Sequence, residues 1–190
     1  MAKNLARNSQ PPNMKLTVRL MKHTDLDGLM NYWFNSGDEH LMKMGVDLAK
    51  MPTESQFREG IAHQINLPME QKNAFAVIWE IDGNAVGHSN TNPTTFGETA
   101  KMHLHLWKKP NRRKGLGTEF VKMTIPLFFK YLKLKTLVCE PYALNVASNK
   151  TIQKVGFEFV KEYITIPGSI TFEQPVKRWE MSKALFEKMY

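Results

Sequence analysis

Between Phe75 and Tyr131 the spacing of apolar residues changes once, and that change constrains the fold more than any other feature of the chain. Up to Trp107 the apolar residues alternate or run in short blocks, and from Leu116 onward they recur at intervals of three and four. Side chains alternate across a strand and repeat about every 3.6 residues around a helix, so this is a strand feeding a helix. The join is Arg112-Arg113-Lys114-Gly115-Leu116-Gly117.

The flanking segments fill in the architecture. Phe75 to Ile81 reads as a strand, Asp82-Gly83-Asn84 as a turn and Ala85 to Asn92 as the returning strand, with Thr99 to Trp107 as a third. Upstream, Leu16 to Leu20 alternates as a strand, and Thr24 is placed to cap a helix through Leu29, Tyr32 and Trp33. Thr53 with Gln56 forms a capping box that opens a helix ended by Pro68. After the basic loop, Leu116, Phe120, Met123, Leu127 and Tyr131 describe one buried helix face, which Pro126 is expected to kink. Thr136 to Glu140 is a short strand, and Asn145 to Val155 a helix closed by Gly156. Phe157 to Thr165 and Val176 to Ser182 are the last two strands. The expected fold is α/β (α+β), a mixed, mostly antiparallel sheet of about seven strands with helices on both faces. One domain is expected over residues 15–190, after a flexible leader, residues 1–14, that holds Pro11-Pro12.

Composition removes several function classes. Cys139 is the only cysteine, so neither an intramolecular disulfide nor a cysteine-based zinc site is available, and no metal is expected. No apolar run reaches the roughly 18 residues of a membrane span, and Met1 to Asn13 lacks a signal peptide's apolar segment. A cytoplasmic protein with no membrane partner is the expectation. The chain carries 26 Lys and Arg against 18 Asp and Glu, a net charge of +8. Lys108, Lys109, Arg112, Arg113 and Lys114 concentrate that charge. A nucleic-acid surface would interleave aromatics with the basic residues, and Trp107 is the one aromatic nearby, so no nucleic-acid partner is expected.

The loop itself suits an anion. Its glycines let main-chain N–H groups approach a phosphate, the following helix adds the positive end of its dipole, and the flanking side chains add full charges. A dinucleotide fingerprint would need a third glycine at Phe120, and a P-loop would need Gly-Lys-Ser/Thr; the chain has neither.

Arg112-Arg113-Lys114-Gly115-Leu116-Gly117 resembles the Arg/Gln-x-x-Gly-x-Gly/Ala signature of the GNAT superfamily of acyl-CoA N-acyltransferases. Asn145-Val146-Ala147-Ser148, followed by Lys154-Val155-Gly156-Phe157, is similar to the matching segment of its ribosomal-protein N-acetyltransferase branch. The resemblance is closest over residues 75–157. It implies acetyl-CoA as co-substrate, with the pyrophosphate held by Arg112, Arg113, Lys114, Gly115, Leu116, Gly117 and Thr118. It implies further that the pantetheine arm lies along His105, Leu106 and Trp107 and touches Asn145. Many members place a tyrosine five residues before the Gly-Phe phenylalanine as general acid; here that position is Ile152.

His103, His105 and Trp107 share one strand face, with Leu104 and Leu106 on the other. Some relatives carry histidines on this strand as a proton relay, so His103 or His105 is the expected base for the amine, with His103 preferred. The alternative is a pair of packed, hydrogen-bonded histidines. Ser148 is the expected partner of the leaving sulfur, or else a helix-end residue, with Tyr142 as a second proton donor and Cys139 as inert core. The implied partners are acetyl-CoA and an amine acceptor, either a small amine or a protein N-terminus, in a monomer or homodimer. Asn31 to Asp47 is expected over the acceptor, with Asp38 and Glu39 either attracting its charge or solvated in a loop after Gly37, and Trp33 and Phe34 placed to cover its apolar part. A non-catalytic acyl-CoA-binding regulatory module on the same fold is the competing reading.

Overall fold

The computed structural model describes residues 14–107 and 115–190. The leader up to residue 13 and the basic stretch 108–114, with Arg112, Arg113 and Lys114, fall outside the described residues. The seven strands are β1 (Leu16–Leu20), β2 (Phe75–Ile81), β3 (Asn84–Thr95), β4 (Thr99–Leu106), β5 (Thr136–Cys139), β6 (Glu158–Thr165) and β7 (Gln174–Ser182). They form one sheet in the order β1-β2-β3-β4-β5-β7-β6. Every pairing is antiparallel except that of β4 with β5. A parallel pair needs a crossover, and α4 (Leu116–Leu132) supplies it.

On one face α4 buries Phe120, Val121, Thr124, Ile125, Phe128, Phe129 and Leu132. Trp79 stacks on Phe120 with ring centroids 5.2 Å apart, and its indole N–H donates to the Thr124 hydroxyl at 2.9 Å. The buried face differs from the expected one: Met123 is exposed, and Leu127 and Tyr131 are half-buried. The reason lies at the C-terminus. A further helix, α6 (Lys183–Met189), is capped by the Ser182 hydroxyl and stacks Phe186 on Phe129 at 4.3 Å, so α4 is covered from two sides. The helix runs on through Pro126.

On the opposite face α1 (Leu26–Asn35) and α3 (Glu54–Asn66) pack Leu29, Met30, Trp33, Phe57 and Ile61 toward Ile78. Thr53 and Gln56 make the expected capping box. Thr24 does not cap α1: it lies within a 3-10 turn, His23–Asp25, that leads into the helix, and the buried carboxylate of Asp25 closes that turn. Asp25 accepts from the Lys22 amide at 2.8 Å and from both terminal nitrogens of Arg19 at 2.7 Å. A carboxylate that is also ion-paired to a strand holds this turn better than a threonine hydroxyl.

Candidate active site

β4 and β5 are paired only over Thr99–Met102 and Thr136–Cys139, and then they diverge. The fork beyond this ladder encloses a cavity of about 110 Å³, walled by His103 and His105 on β4 and by Cys139, Glu140 and Tyr142 at the end of β5. α5 (Val146–Lys154) starts at its mouth, where Asn145 caps the helix by accepting from the Ser148 amide at 3.1 Å. Asn145 and Ser148 both line the fork. The structure therefore brings His103, His105, Asn145 and Ser148 to one cavity, although they come from two parts of the chain. Ile152, one turn deeper in α5, is wholly buried and packs in the core.

The fork's roof joins two distant segments. The stretch after α2 (Asp38–Lys43) is fastened to the β6–β7 connection. Asp47 N–H donates to Ile170 at 2.9 Å, Phe172 N–H to Gly45 at 3.3 Å, and the Gln174 carboxamide to Gly45 at 3.3 Å. Gly45 has φ +89°, and a Cβ there would collide with the Gln174 carboxamide. Met44, Thr171 and Gln174 look down into the fork. Of the two readings of Asp38 and Glu39 the solvated one holds, although in a helix rather than a loop: both lie exposed in the first turn of α2, and Glu39 pairs with Lys43 at 2.5 Å. Acidic side chains in a first turn complement the helix dipole while remaining in water.

The histidines differ in their surroundings. His103 Nε2 lies 2.9 Å from the Asn92 carbonyl, which can only accept. Nε2 therefore carries the proton, leaving a lone pair on Nδ1, which has no partner among the described residues. His105 Nδ1 is 3.2 Å from the Tyr32 hydroxyl, which is also 3.4 Å from His40 Nε2 and donates to Met44 Sδ at 3.2 Å. Behind it stands His88 of β3, stacked on His105 with centroids 4.5 Å apart. Trp107 Nε1 donates to His88 Nδ1 at 2.8 Å, so the His88 proton is on Nε2. Burial drives all three below the ordinary histidine range, with the neighbouring imidazoles adding to the effect at His88 and His105. His88 is pushed down to about 3.

Across the fork, Glu140 sits between Lys101 at 2.6 Å and Arg178 at 2.8 Å and accepts from the Tyr163 hydroxyl at 2.5 Å. Burial alone would raise its pKa, but these partners outweigh burial and hold it below the usual carboxylate range. The Cys139 thiol is buried, bonds to the Met102 carbonyl, and is pushed up to about 12, chiefly by burial. That leaves it protonated and inert.

Gly115, Leu116, Gly117 and Thr118 form the start of α4. Gly115 is left-handed at φ +76°. Among the described residues, a Cβ at Gly117 would meet only Leu106 Cδ1, at the ordinary distance of 3.7 Å. The fold therefore has room for a side chain at Gly117, and a glycine there suits close approach by something outside the fold. Thr118 N–H turns back to the Gly115 carbonyl at 3.0 Å, and amides at a helix start, which have no acceptor four residues back, suit an anion. His88, Tyr32 and Glu140 were not foreseen. His88 was discoverable, since a strand returning through Asp82-Gly83-Asn84 to pair with β4 sets His88 opposite His105.

The model of the GNAT acetyltransferase domain matches residues 15–158. No curated protein matches the chain in sequence. Among solved structures, an aminoglycoside acetyltransferase AAC(6')-Ib in complex with coenzyme A superposes with a TM-score of 0.70 at 19% identity, covering 92% of this chain and 98% of that one. The RimL ribosomal-protein acetyltransferase in complex with coenzyme A gives 0.72 at 12% identity, over 92% and 98%. A spermidine N-acetyltransferase from Vibrio cholerae, with coenzyme A and spermine, gives 0.72 at 15% identity, over 90% and 98%.

Proposed function

The chain belongs to the GNAT acetyltransferase family, and on that premise we propose that it moves the acetyl group of acetyl-CoA to a primary amine held in the same cleft, with His103 as the base. The observation that carries the assignment of the base is the lone pair left on His103 Nδ1 by the Nε2–H bond to Asn92, on a residue that lines the fork. The pyrophosphate is assigned to the Gly115–Thr118 turn and the basic residues before it, and the pantetheine arm to the gap between β4 and β5.

In this reading the amine loses its proton to His103, and its nitrogen attacks the thioester carbon. The carbon–nitrogen bond forms, the carbon–sulfur bond breaks, and the sulfur leaves as thiolate toward Ser148. The serine hydroxyl passes it a proton and regains the one shed by the new amide nitrogen, so the products are amide, free thiol and the proton on His103. Holding both substrates in one cleft supplies the orientation that a bimolecular encounter lacks. His105, stacked on His88 and bonded to Tyr32, positions the wall beside the base. The aminoglycoside, polyamine and ribosomal-protein acetyltransferases of the same fold support an amine acceptor in general. A cytoplasmic location and a monomer or homodimer complete the proposal, on the basis of the sequence alone.

The test is release of free thiol from acetyl-CoA across a panel of amines, with His103→Ala alongside. Amine-dependent thiol release that falls about 10²-fold or more in the variant supports the assignment. Saturable acetyl-CoA binding without thiol release from any amine would favour the regulatory module instead.

A further inference from the structure

A second cavity, of about 370 Å³, lies on the acceptor side of the sheet between α1, α3 and strands β2 and β3. Its size falls in the range of small-molecule sites. Most of the wall is hydrocarbon, including Leu29, Trp33, Phe57, Ile61, Ile65 and Phe75. Polar groups gather at two places. At one, the Lys72 ammonium is spent on the carbonyls of Gln64 and Ile65 at the end of α3. At the other, His88 and Asn90 of β3 stand beside the fork, with Asn90 directly opposite His103 in the β3–β4 register.

Two features of that inner wall point to a ligand. His88 is 3% exposed, yet its Nε2–H has no partner among the described residues, and the Asn90 carboxamide makes no hydrogen bond there either. The Nε2–H is not sealed in protein but open to the cavity, where a ligand or water completes it. The second feature is charge. Among the described residues no carboxylate lines this cavity, and the only one lining the fork, Glu140, is already matched by Lys101 and Arg178. A polycation would find nothing here to neutralise it. A single nitrogen entering as the free amine would rest here by accepting from His88 Nε2–H and donating to the Asn90 carbonyl oxygen. It would give up the His88 bond when its lone pair turns to the thioester, one strand spacing of about 4.8 Å away toward the strand that carries His103.

We propose that this cavity takes the apolar body of the acceptor, and that the acceptor is a primary monoamine with an alkyl or aryl body rather than a polyamine or aminoglycoside. The proposal rests on the acetyltransferase reading for the reaction but not for the binding. It is tested by calorimetric titration of the full chain with phenethylamine and with spermidine at matched ionic strength, without acetyl-CoA, and then by thiol release with both.

Phenethylamine should bind about tenfold or more tightly than spermidine, as expected of an apolar pocket. Ala76→Phe, which fills the cavity from β2, should abolish that preference while leaving stabilisation by acetyl-CoA intact. Should Ala76→Phe fail to fold, Ala74→Leu at the same wall takes its place. Binding that the filled variants do not weaken, or tighter binding of spermidine, overturns the proposal. So does a preference for hexanoyl-CoA over acetyl-CoA that the filled variants remove, since the cavity would then hold the acyl chain. Phenethylamine binding without thiol release keeps the cavity assignment and overturns the reaction; thiol release with spermidine alone does the reverse.

Discussion

His88 and His105 lie face to face across the β3–β4 ladder, ring centroids 4.5 Å apart and 12° from parallel. Desolvation disfavours a proton on either ring, and neighbouring imidazoles add to the effect. Folding thus holds them below the unfolded value of about 6.5.

Acid stability follows from that pair. Between the folded and unfolded pKa values the unfolded chain binds more protons, so stability rises with pH there and falls as pH drops below about 6.5. Each such histidine contributes at most about 1.4 kcal/mol per pH unit over that window. Urea melts between pH 4 and 8 should show the decline, and His88→Gln should flatten it. A stability that is level from pH 8 to pH 4 would contradict a neutral buried pair.

The rate profile moves in the same direction. His103 is also held below the ordinary value, chiefly by burial, with the Asn92 bond working the other way. As base it is then already deprotonated at pH 6.5, so the rising limb of kcat/KM belongs below that pH, with a plateau to pH 8. His103→Ala should remove the limb and cost about 10²- to 10⁴-fold. A limb centred above pH 7 would assign the base elsewhere.

Gly117 offers a test with little structural cost. The Cβ of Gly117→Ala has room beside Leu106, so the melting temperature without ligand should change little. In the wild type, acetyl-CoA at a hundred times its Kd should add about 2.7 kcal/mol. Differential scanning of both proteins should show that increment shrinking in the variant. An equal increment would mean that the turn does not approach the pyrophosphate.

Much of this site was readable from residue order because local rules produced it. The Thr53–Gln56 box, the Asn145 cap and the common face of His103 and His105 each depend on neighbours within a few positions. What escaped depends on distant partners. Leu116 to Leu132 carries apolar residues on several sides, and only α6, folding back from the far end of the chain, decides that Phe129 is covered while Met123 is not. Asp38 and Glu39 suggested attraction for an amine, but their orientation is fixed by where α2 begins, at Gly37 with φ +83°. The roof over the fork depends on Gly45 meeting Gln174, a contact across 129 positions with no local signature.

Gly45→Ala probes that roof. The left-handed backbone costs a non-glycine residue about 1 to 2 kcal/mol, and the new methyl must also displace the Gln174 carboxamide. Urea melts should show at least that loss. With the roof displaced, the acceptor's KM should rise while the acetyl-CoA shift at the α4 turn persists. Unchanged acceptor KM would show that the roof shelters the fork without touching the acceptor.

Among the described residues, the only backbone ladder joining strands β1 to β4 with β5, β7 and β6 is the short one from Thr99–Met102 to Thr136–Cys139. Mechanically the sheet is two plates on a narrow hinge, and the fork is the gap that widens beyond the pin. Whatever lies in that gap and bonds to both edges is a splint. Its presence stiffens the C-terminal plate as a unit, out to the edge strand β6, so the slowing of amide exchange should spread well past the residues the ligand touches.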